Sequence, residues 1–251
     1  MISYEFPLNE RVRTLLRLED LHGKLDFFTA SGEARAHHAA VVTLFEILEV
    51  AGRADLKSEL IQELERQRGH LESLRSNPAI SAQALNEVLG EIDQTSTSLC
   101  GASGKTGQEL RENEWLMGIR QRSGIPGGVC EFDLPSYHYW LHQNADSRRA
   151  DIGQWSAPFV GLWEGTRIVL KLLRESGKTS PAHATQGVFQ QMMGGKVSQM
   201  LRVRMDDAYP CVPEVSANKY ALNIRFTHAQ GAERGRTYDG EVDFELSYCN
   251  L

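Results

Sequence analysis

Two histidines are the residues of this sequence whose type and spacing come nearest to a metal site. His138 and His142 lie four residues apart and would share one face of a helix, as two zinc ligands can. The pair lacks the glutamate that makes an HExxH motif catalytic, and a third ligand would have to be Cys130 or Asp133. Histidines packed among the neighbouring aromatic residues are the more ordinary interpretation. We therefore expect no metal site, and keep a hydrolase or metal-binding enzyme using His138 and His142 as the alternative.

Residues 101–107 (GASGKTG) contain the Gly-Lys-Thr triplet of a phosphate-binding loop. Such a loop needs a glycine five positions before the glycine of the triplet, and Leu99 stands there. The segment also follows a predicted helix, whereas a phosphate cradle follows a strand. Thr106 and Glu109 have the spacing of a capping box, so we expect an interhelical loop and, at Thr106, the start of the helix that reaches Arg122. The sequence also lacks a GxSxG nucleophile motif and any serine or cysteine with a recognisable partner, although the partners of a triad can lie far apart in sequence.

The remaining candidates are basic residues around an exposed turn within residues 119–142 (IRQRSGIPGGVCEFDLPSYHYWLH). Pro126 and Gly127 suit the second and third positions of a type II turn, because proline presets φ and glycine accepts the positive φ that follows. Arg120 and Arg122 would then lie at the rim of the turn. Guanidinium groups there can hold the carboxylates of a peptide, while tyrosine and tryptophan supply apolar contact. The segment therefore predicts an interaction site rather than a reaction centre.

Composition limits the classes of partner. The formal net charge of −6 over 251 residues argues against a general nucleic-acid binder, since that binding rests on clustered lysine and arginine. Four cysteines lie far apart without a CxxC pair, so we expect reduced, mostly buried thiols rather than a zinc or disulfide framework. The amino terminus does not resemble a signal peptide, and no stretch approaches the roughly 20 apolar residues of a spanning helix. We expect a cytoplasmic protein without membrane insertion.

Hydrophobic periodicity predicts the elements that must position these residues. Apolar residues recur at helical spacing from about Glu10 onward, and over 55–99 they predict an antiparallel helical hairpin. After about Lys196 apolar and polar residues alternate strictly, which is typical of half-buried antiparallel strands. The alternating stretches are 201–205, 220–226 and 242–248.

We expect an α+β fold, in which a mainly helical domain is joined to a small antiparallel β-sheet domain containing the C-terminal strands. Strand-like patterns near 2–6 and 129–134 could join that sheet. The predicted helical domain covers 8–125 and 135–195, and the predicted β domain covers 1–7, 126–134 and 196–251.

The alternation also predicts which side chains share the outer face of that sheet. Period two places Arg202 and Arg204 outward on the first strand, and Lys219 and Arg225 outward on the second. The third strand would turn Glu241, Asp243 and Glu245 to the same side. The predicted polar face therefore has a basic side and an acidic side.

Several stretches make the chain resemble the ZapD family of bacterial division proteins, and the resemblance runs nearly end to end. The most specific is IRQRSGIPGG followed by FDLPSYHYWLH. The others are FPLNERVRTLLRLE, LKSELIQELERQR, NIRF and VDFEL. On these motifs the chain is identified as a member of that family.

The resemblance implies a homodimer that is not an enzyme, has no catalytic residue and needs no cofactor. It would bind the C-terminal tail of the tubulin-like GTPase FtsZ and cross-link its filaments into bundles in the division ring. It implies a positively charged tail site, which falls on Arg17 of RTLLRLE and Arg225 of NIRF, with Arg120 and Arg122 in the matching IRQR motif. Where relatives offer another arginine before NIRF, this chain has alanine, and Lys219 lies two residues earlier. Localisation at mid-cell is implied as well.

Overall fold

The structure, a computed structural model, describes residues 1–53, 55–78, 80–101, 104–194, 198–231 and 234–251. The chain forms two compact units, one of Leu15–Val169 and the other of Met1–Thr14 with Leu170–Leu251. The first unit is helical, and the second contains the strands that the described residues form. The predicted α+β fold, with a mainly helical domain and an antiparallel β domain containing the C-terminal strands, is confirmed.

The helices are α1 (Glu10–Ala30), α2 (Ala34–Ala51), α3 (Leu56–Ser73), α4 (Ala82–Gly101), α5 (Gln108–Glu112), α6 (Glu114–Ser123), α7 (Pro135–Leu141), α8 (Ala145–Ser156) and α9 (Val160–Glu175). A single 3₁₀ turn with Pro158 inside it separates α8 from α9, because proline has no N–H to continue a helical ladder. The predicted hairpin is confirmed: Leu60 and Leu64 of α3 are buried, as are Leu89 and Ile92 of α4.

The predicted start of the helix that reaches Arg122 is wrong. Helix α5 begins after Gly107, whose φ of 72° is left-handed, and it ends at Glu112. Asn113 then begins α6, because its Oδ1 accepts a hydrogen bond from the backbone N–H of Leu116 at 3.0 Å. Residues 102 and 103 of the predicted interhelical loop lie outside the described residues.

A buried arginine stabilises the carboxyl end of α1. Arg148 of α8 is 5% exposed, and its guanidinium donates to the carbonyl oxygens of Gly32 (2.8 Å) and Leu141 (2.9 Å). Its Nε donates to Nδ1 of the buried His37 at 2.8 Å, and His37 Nε2 lies 2.7 Å from the Ser31 carbonyl. Carbonyls after a helix end lack intrahelical donors and attract positive charge, so this pair closes α1 where a glycine cap would otherwise serve.

Helix α7 is an aromatic packing element. Tyr137 and Trp140 stack with ring centroids 5.6 Å apart, and Trp115 of α6 meets both rings edge-on. The Tyr137 hydroxyl bonds His38 Nδ1 at 2.8 Å, and Trp140 Nε1 donates to an aspartate. Burial raises the pKa of Tyr137 and lowers the pKa of His38. The aromatic residues of this motif therefore hold the helical unit together.

The β unit contains two antiparallel sheets. Their strands are β1 (Ile2–Pro7), β2 (Lys178–Ala184), β3 (Val188–Met192), β4 (Met200–Met205), β5 (Cys211–Ala217), β6 (Ala221–His228) and β7 (Val242–Cys249). A four-stranded sheet has the order β1-β4-β7-β2, and a three-stranded sheet has the order β3-β6-β5. Inward side chains of both sheets form one core, in which Phe244 of β7 lies against Phe189 and Phe226. The three predicted C-terminal strands and the strand near 2–6 are confirmed.

The predicted assignments of 126–134 and 135–195 are not what the structure contains. Residues 129–134 form turns within the helical unit, where the Cys130 carbonyl accepts from the N–H groups of both Asp133 and Leu134. Strands β2 and β3 lie inside 135–195, and the pattern missed β2 because it is an edge strand whose few inward residues are small alanines. The predicted single sheet is also wrong, since β6 and β7 belong to different sheets.

The four cysteines are unpaired, and they divide by exposure. Cys211 and Cys249 are buried in the β unit, and burial raises the pKa of both thiols. Cys100 and Cys130 are exposed. The expectation of mostly buried thiols therefore applies to one pair and is wrong for the other.

Candidate functional site

The predicted site residues belong to both units. Arg17, Arg120 and Arg122 lie in the helical unit, and Lys219 and Arg225 lie in the β unit. Each group has its own geometry within its unit. The question for each residue is whether its positive charge is open to a ligand or already held by a carboxylate.

The predicted type II turn is confirmed. The N–H of Gly128 donates to the carbonyl of Ile125 at 2.9 Å, and Gly127 at the third position has a φ of 72°. Arg120 and Arg122 lie on the last turn of α6, just before this turn. The sequence was sufficient to predict this turn, because its geometry depends on two adjacent residues, Pro126 and Gly127.

Both arginines beside the turn are held by carboxylates. Arg120 Nη2 lies 2.5 Å from Glu49 Oε2 of α2, and Arg122 Nη1 lies 3.0 Å from Asp133 Oδ1. All four side chains are at least partly in solvent, so each pair adds little to stability and can exchange with a ligand. The two guanidinium groups are reachable, but their charge is neutralised in the free protein.

Arg17 presents a different environment. It is exposed on α1 between the buried residues Leu15 and Leu18, and it forms no ion pair with the residues that the structure describes. Its neighbour one turn earlier, Arg13, is held by Glu10 at 3.2 Å. Arg17 is therefore the predicted site residue whose charge is most available in the helical unit.

Arg225 lies on the floor of an open groove across the outer face of the three-stranded sheet. The groove encloses about 420 Å³ and is lined by Val188 and Gln190 of β3, Glu214, Val215 and Ser216 of β5, and Asn223, Ile224 and Arg225 of β6. Strand register explains this lining, because residues opposite each other share a face. Val188, Arg225 and Glu214 form one cross-strand row, and a second row has three neutral polar side chains.

Glu214 is the site residue that sequence patterns missed. Its Oε2 accepts from Arg225 Nη2 at 2.5 Å and from Nε at 3.2 Å, and its Oε1 lies 3.5 Å from the Thr227 hydroxyl. The Arg225 and Glu214 side chains are 55% and 49% exposed. Pro213 interrupts the alternation of β5, which is tolerated because β5 is an edge strand, and this break concealed the strand in the sequence. The alternation of the exposed residues Glu214 and Ser216 was the sequence signal that could have revealed β5.

Lys219 does not lie on the predicted strand face. Strand β6 begins at Ala221, and Lys219 belongs to the β5–β6 turn, where Asn218 Oδ1 accepts from the backbone N–H of Tyr220 and Ala221. Its Nζ lies 4.8 Å from the centroid of the exposed Tyr220 ring, a cation–π contact. The lysine is exposed and sits at one end of the sheet that carries the groove.

The predicted mixed polar face is divided between the two sheets. Arg204 of β4 pairs with Glu245 of β7 at 3.2 Å, as directly opposite residues of the four-stranded sheet. Asp243 and Glu241 bond the two ring nitrogens of His183 at 2.7 and 2.6 Å. The carboxylates of the last strand therefore do not reach Arg225, which finds its partner on β5 instead.

The histidine pair of α7 forms a stacked surface contact. The rings of His138 and His142 are 4.3 Å apart, His142 Nδ1 bonds the His138 carbonyl, and His138 Nε2 lies 3.7 Å from Glu131. Within the described ranges, no group of three or more histidine, cysteine, aspartate or glutamate side chains is placed to hold a metal ion. Nor does any helix in those ranges have the length and apolar character that crossing a membrane requires.

Comparison with known proteins agrees with the resemblance. The family model ZapD, described as a cell division protein, matches residues 16–225. Proteins called cell division protein ZapD are 56% identical in Azoarcus sp. (strain BH72) and 55% identical in Dechloromonas aromatica (strain RCB), each over the full length of both chains. One from Aromatoleum aromaticum is 55% identical, covering all of this chain and 98% of the relative. The chain belongs to the ZapD family of cell division proteins.

Proposed function

We propose that this protein is a non-enzymatic cell division factor that binds the C-terminal tail of FtsZ. As a homodimer it cross-links FtsZ filaments into bundles, which promotes and stabilises assembly of the Z-ring. It acts in the cytoplasm at mid-cell. Membership of the ZapD family supports the division role. The exposed basic residues support recognition of carboxylates of the tail.

The groove around Arg225 is the observation that carries the tail-binding proposal. A guanidinium on its floor can bind a carboxylate through two parallel N–H groups. Gln190, Asn223 and Ser216 form a row of neutral donors and acceptors that suits the amide groups of an extended peptide. We propose Arg17, Arg120, Arg122 and Lys219 as further contacts with the tail.

Bundling follows from having two such sites. A twofold dimer presents one groove on each subunit, so one dimer can hold two filaments. A filament displays many tails at high local concentration, and a second binding event is then effectively intramolecular. Weak binding at each groove becomes strong cross-linking.

Co-sedimentation with assembled FtsZ, with and without its C-terminal tail, tests the proposal. We expect the protein to pellet with intact filaments and to stay in the supernatant when the tail is deleted. Arg225→Gln should weaken binding of the tail peptide by about tenfold, as expected for a charge-assisted contact. Arg204→Gln is the matched control, since it removes the same charge from the other sheet and should bind normally. Equal binding by both variants would remove the groove from the site.

The dimer is tested separately. Sedimentation or light scattering at micromolar concentration should give twice the mass of the 28.1 kDa chain. Arg225→Gln should leave that mass unchanged while it reduces bundling. A monomeric mass would contradict the two-filament mechanism but not tail binding itself.

A further inference from the structure

We infer that Glu214 is a built-in competitor for the tail, a carboxylate of the protein that occupies Arg225 until an acidic peptide replaces it. This inference rests on the proposed function and adds the residue that sets affinity at the same site. Because Glu214 neutralises Arg225, the groove has no net charge in the free protein. Binding of the tail then exchanges one carboxylate on Arg225 for another.

The sheet holds the two side chains together. Glu214 and Arg225 are directly opposite residues of β5 and β6, and the neighbouring pairs on either side continue the same antiparallel register. Side chains of opposite residues leave the same face of a sheet about 5 Å apart, so the register keeps both on the groove side of the sheet. Glu214 is therefore a permanent neighbour of any group that binds Arg225.

The contact geometry shows which part of the guanidinium remains available. One oxygen of Glu214, Oε2, accepts from both Nε and Nη2, while Nη1 makes no contact with Glu214. A peptide carboxylate can approach the Nη1 end, but it then lies close to a like charge. Alternatively it displaces Glu214 and accepts from Nε and Nη2, one bond to each of its oxygens. Both routes weaken binding relative to a groove without that carboxylate.

The net charge of the groove also indicates that Glu214 weakens tail binding. Among the described residues that line it, Arg225 and Glu214 are the charged ones, and the others are neutral. The groove as it stands has no net charge with which to attract an acidic ligand. Removing the Glu214 charge alone would give the groove a single unscreened cation, and tail binding should become tighter and more sensitive to salt.

Glu214→Gln is the decisive variant, because glutamine keeps the shape and one acceptor oxygen while losing the charge. Binding of a labelled FtsZ tail peptide is measured at low and high salt for wild type, Glu214→Gln, Arg225→Gln and the double variant. We expect Glu214→Gln to bind about threefold to tenfold more tightly at low salt, with the gain shrinking at high salt. In the Arg225→Gln background the same substitution should change affinity by less than about twofold, because the competition needs the arginine.

Controls separate this inference from the proposed function. Glu87→Gln on α4 makes the same change in net charge in the helical unit and should bind like wild type. Unchanged or weaker binding by Glu214→Gln, while Arg225→Gln still loses binding, would overturn the competitor and leave the groove in place. If Arg225→Gln binds normally, the proposed site itself is wrong. Glu214→Ser provides a second test of the same charge removal if the glutamine variant does not fold.

Discussion

The two sheets of the β unit share one core, yet their outer faces differ. On the four-stranded sheet, polar side chains bond one another across adjacent strands: Arg204 with Glu245, and Thr179 with Ser247 at 2.7 Å. On the three-stranded sheet, one exposed ion pair lies in an open groove. The first face carries paired polar groups beside two buried atoms that make no hydrogen bond, Arg202 Nε and Glu245 Oε2, while the second holds its ion pair in a groove that a partner can reach. An exposed ion pair therefore indicates a binding surface where it also lines a groove, as it does at Arg225.

Glycine at position 187 joins the two sheets, and its replacement should have the largest effect. Gln186 and Gly187 form the two-residue turn between β2 and β3, with φ values of 50° and 68°. A Cβ on Gly187 would clash with the backbone carbonyl oxygen of Tyr238. We expect Gly187→Ala to lower the free energy of unfolding by about 3 kcal/mol, from backbone strain and the clash together. Denaturant unfolding followed by circular dichroism measures it.

Gly235→Ala is the control for that prediction. Gly235 has a φ of 80°, and a Cβ added to it would have no atom of the described residues within 4 Å. The variant should lose only about 1 kcal/mol, the effect of the left-handed conformation alone. Equal losses at the two glycines would show that the close approach to Tyr238 is not what limits position 187.

The same isosteric substitution on the two faces should give unequal losses of stability. Arg174 holds Glu5 through two bonds of 2.8 and 2.7 Å, and these side chains are only 29% and 21% exposed. We expect Glu5→Gln to lower the free energy of unfolding by about 1–2 kcal/mol, because the charge-assisted bidentate pair is half-buried. Glu214→Gln should change it by less than about 0.5 kcal/mol. Thermal or denaturant unfolding of both variants checks this, and similar losses would contradict the distinction between the faces.

Strands with a strong hydrophobic pattern could be predicted from the sequence, and strands without one could not. Strands β4, β6 and β7 were predictable because each alternates exposed residues with a buried apolar set, as in Leu222, Ile224 and Phe226. Strand β2 was not, since its inward side chains include small alanines that give no hydrophobic signal. Without β2, β3 and β5 the division into two sheets was hidden.

Prediction of the site residues was limited in the same way: features that depend on adjacent residues could be predicted, and strand pairing could not. The turn at Pro126 and Gly127 depends on adjacent residues and was predicted correctly. The partner of Arg225 depends on which strand pairs with β6, and that register brings together Glu214 and Arg225 from positions eleven apart in sequence. Charge patterning placed Glu241, Asp243 and Glu245 on the same predicted face as Arg225, but these carboxylates contact Arg204 and His183.

The smallest expected effect is a pH response confined to the four-stranded sheet. Hydrogen bonds that the His183 ring donates to Asp243 and then to Glu241 raise the pKa of this exposed histidine above its ordinary value of 6.5. A raised pKa in the folded state means that the charged histidine stabilises the fold fully below the unfolded pKa, and that this contribution disappears as pH rises through the folded pKa. Wild type should therefore lose a little more stability than His183→Gln between mildly acidic and mildly alkaline pH.

Melting temperature measured against pH for the two proteins isolates this contribution, because every other titrating group is common to both. Burial lowers the pKa of His22 and His38, so those groups change stability in the opposite direction and cancel in the difference. Parallel curves of melting temperature against pH for wild type and His183→Gln would mean that solvent screens the interaction of His183 with its two carboxylates. A difference that appears only as pH rises would show that the charged form of His183 is stabilised by its two carboxylate partners.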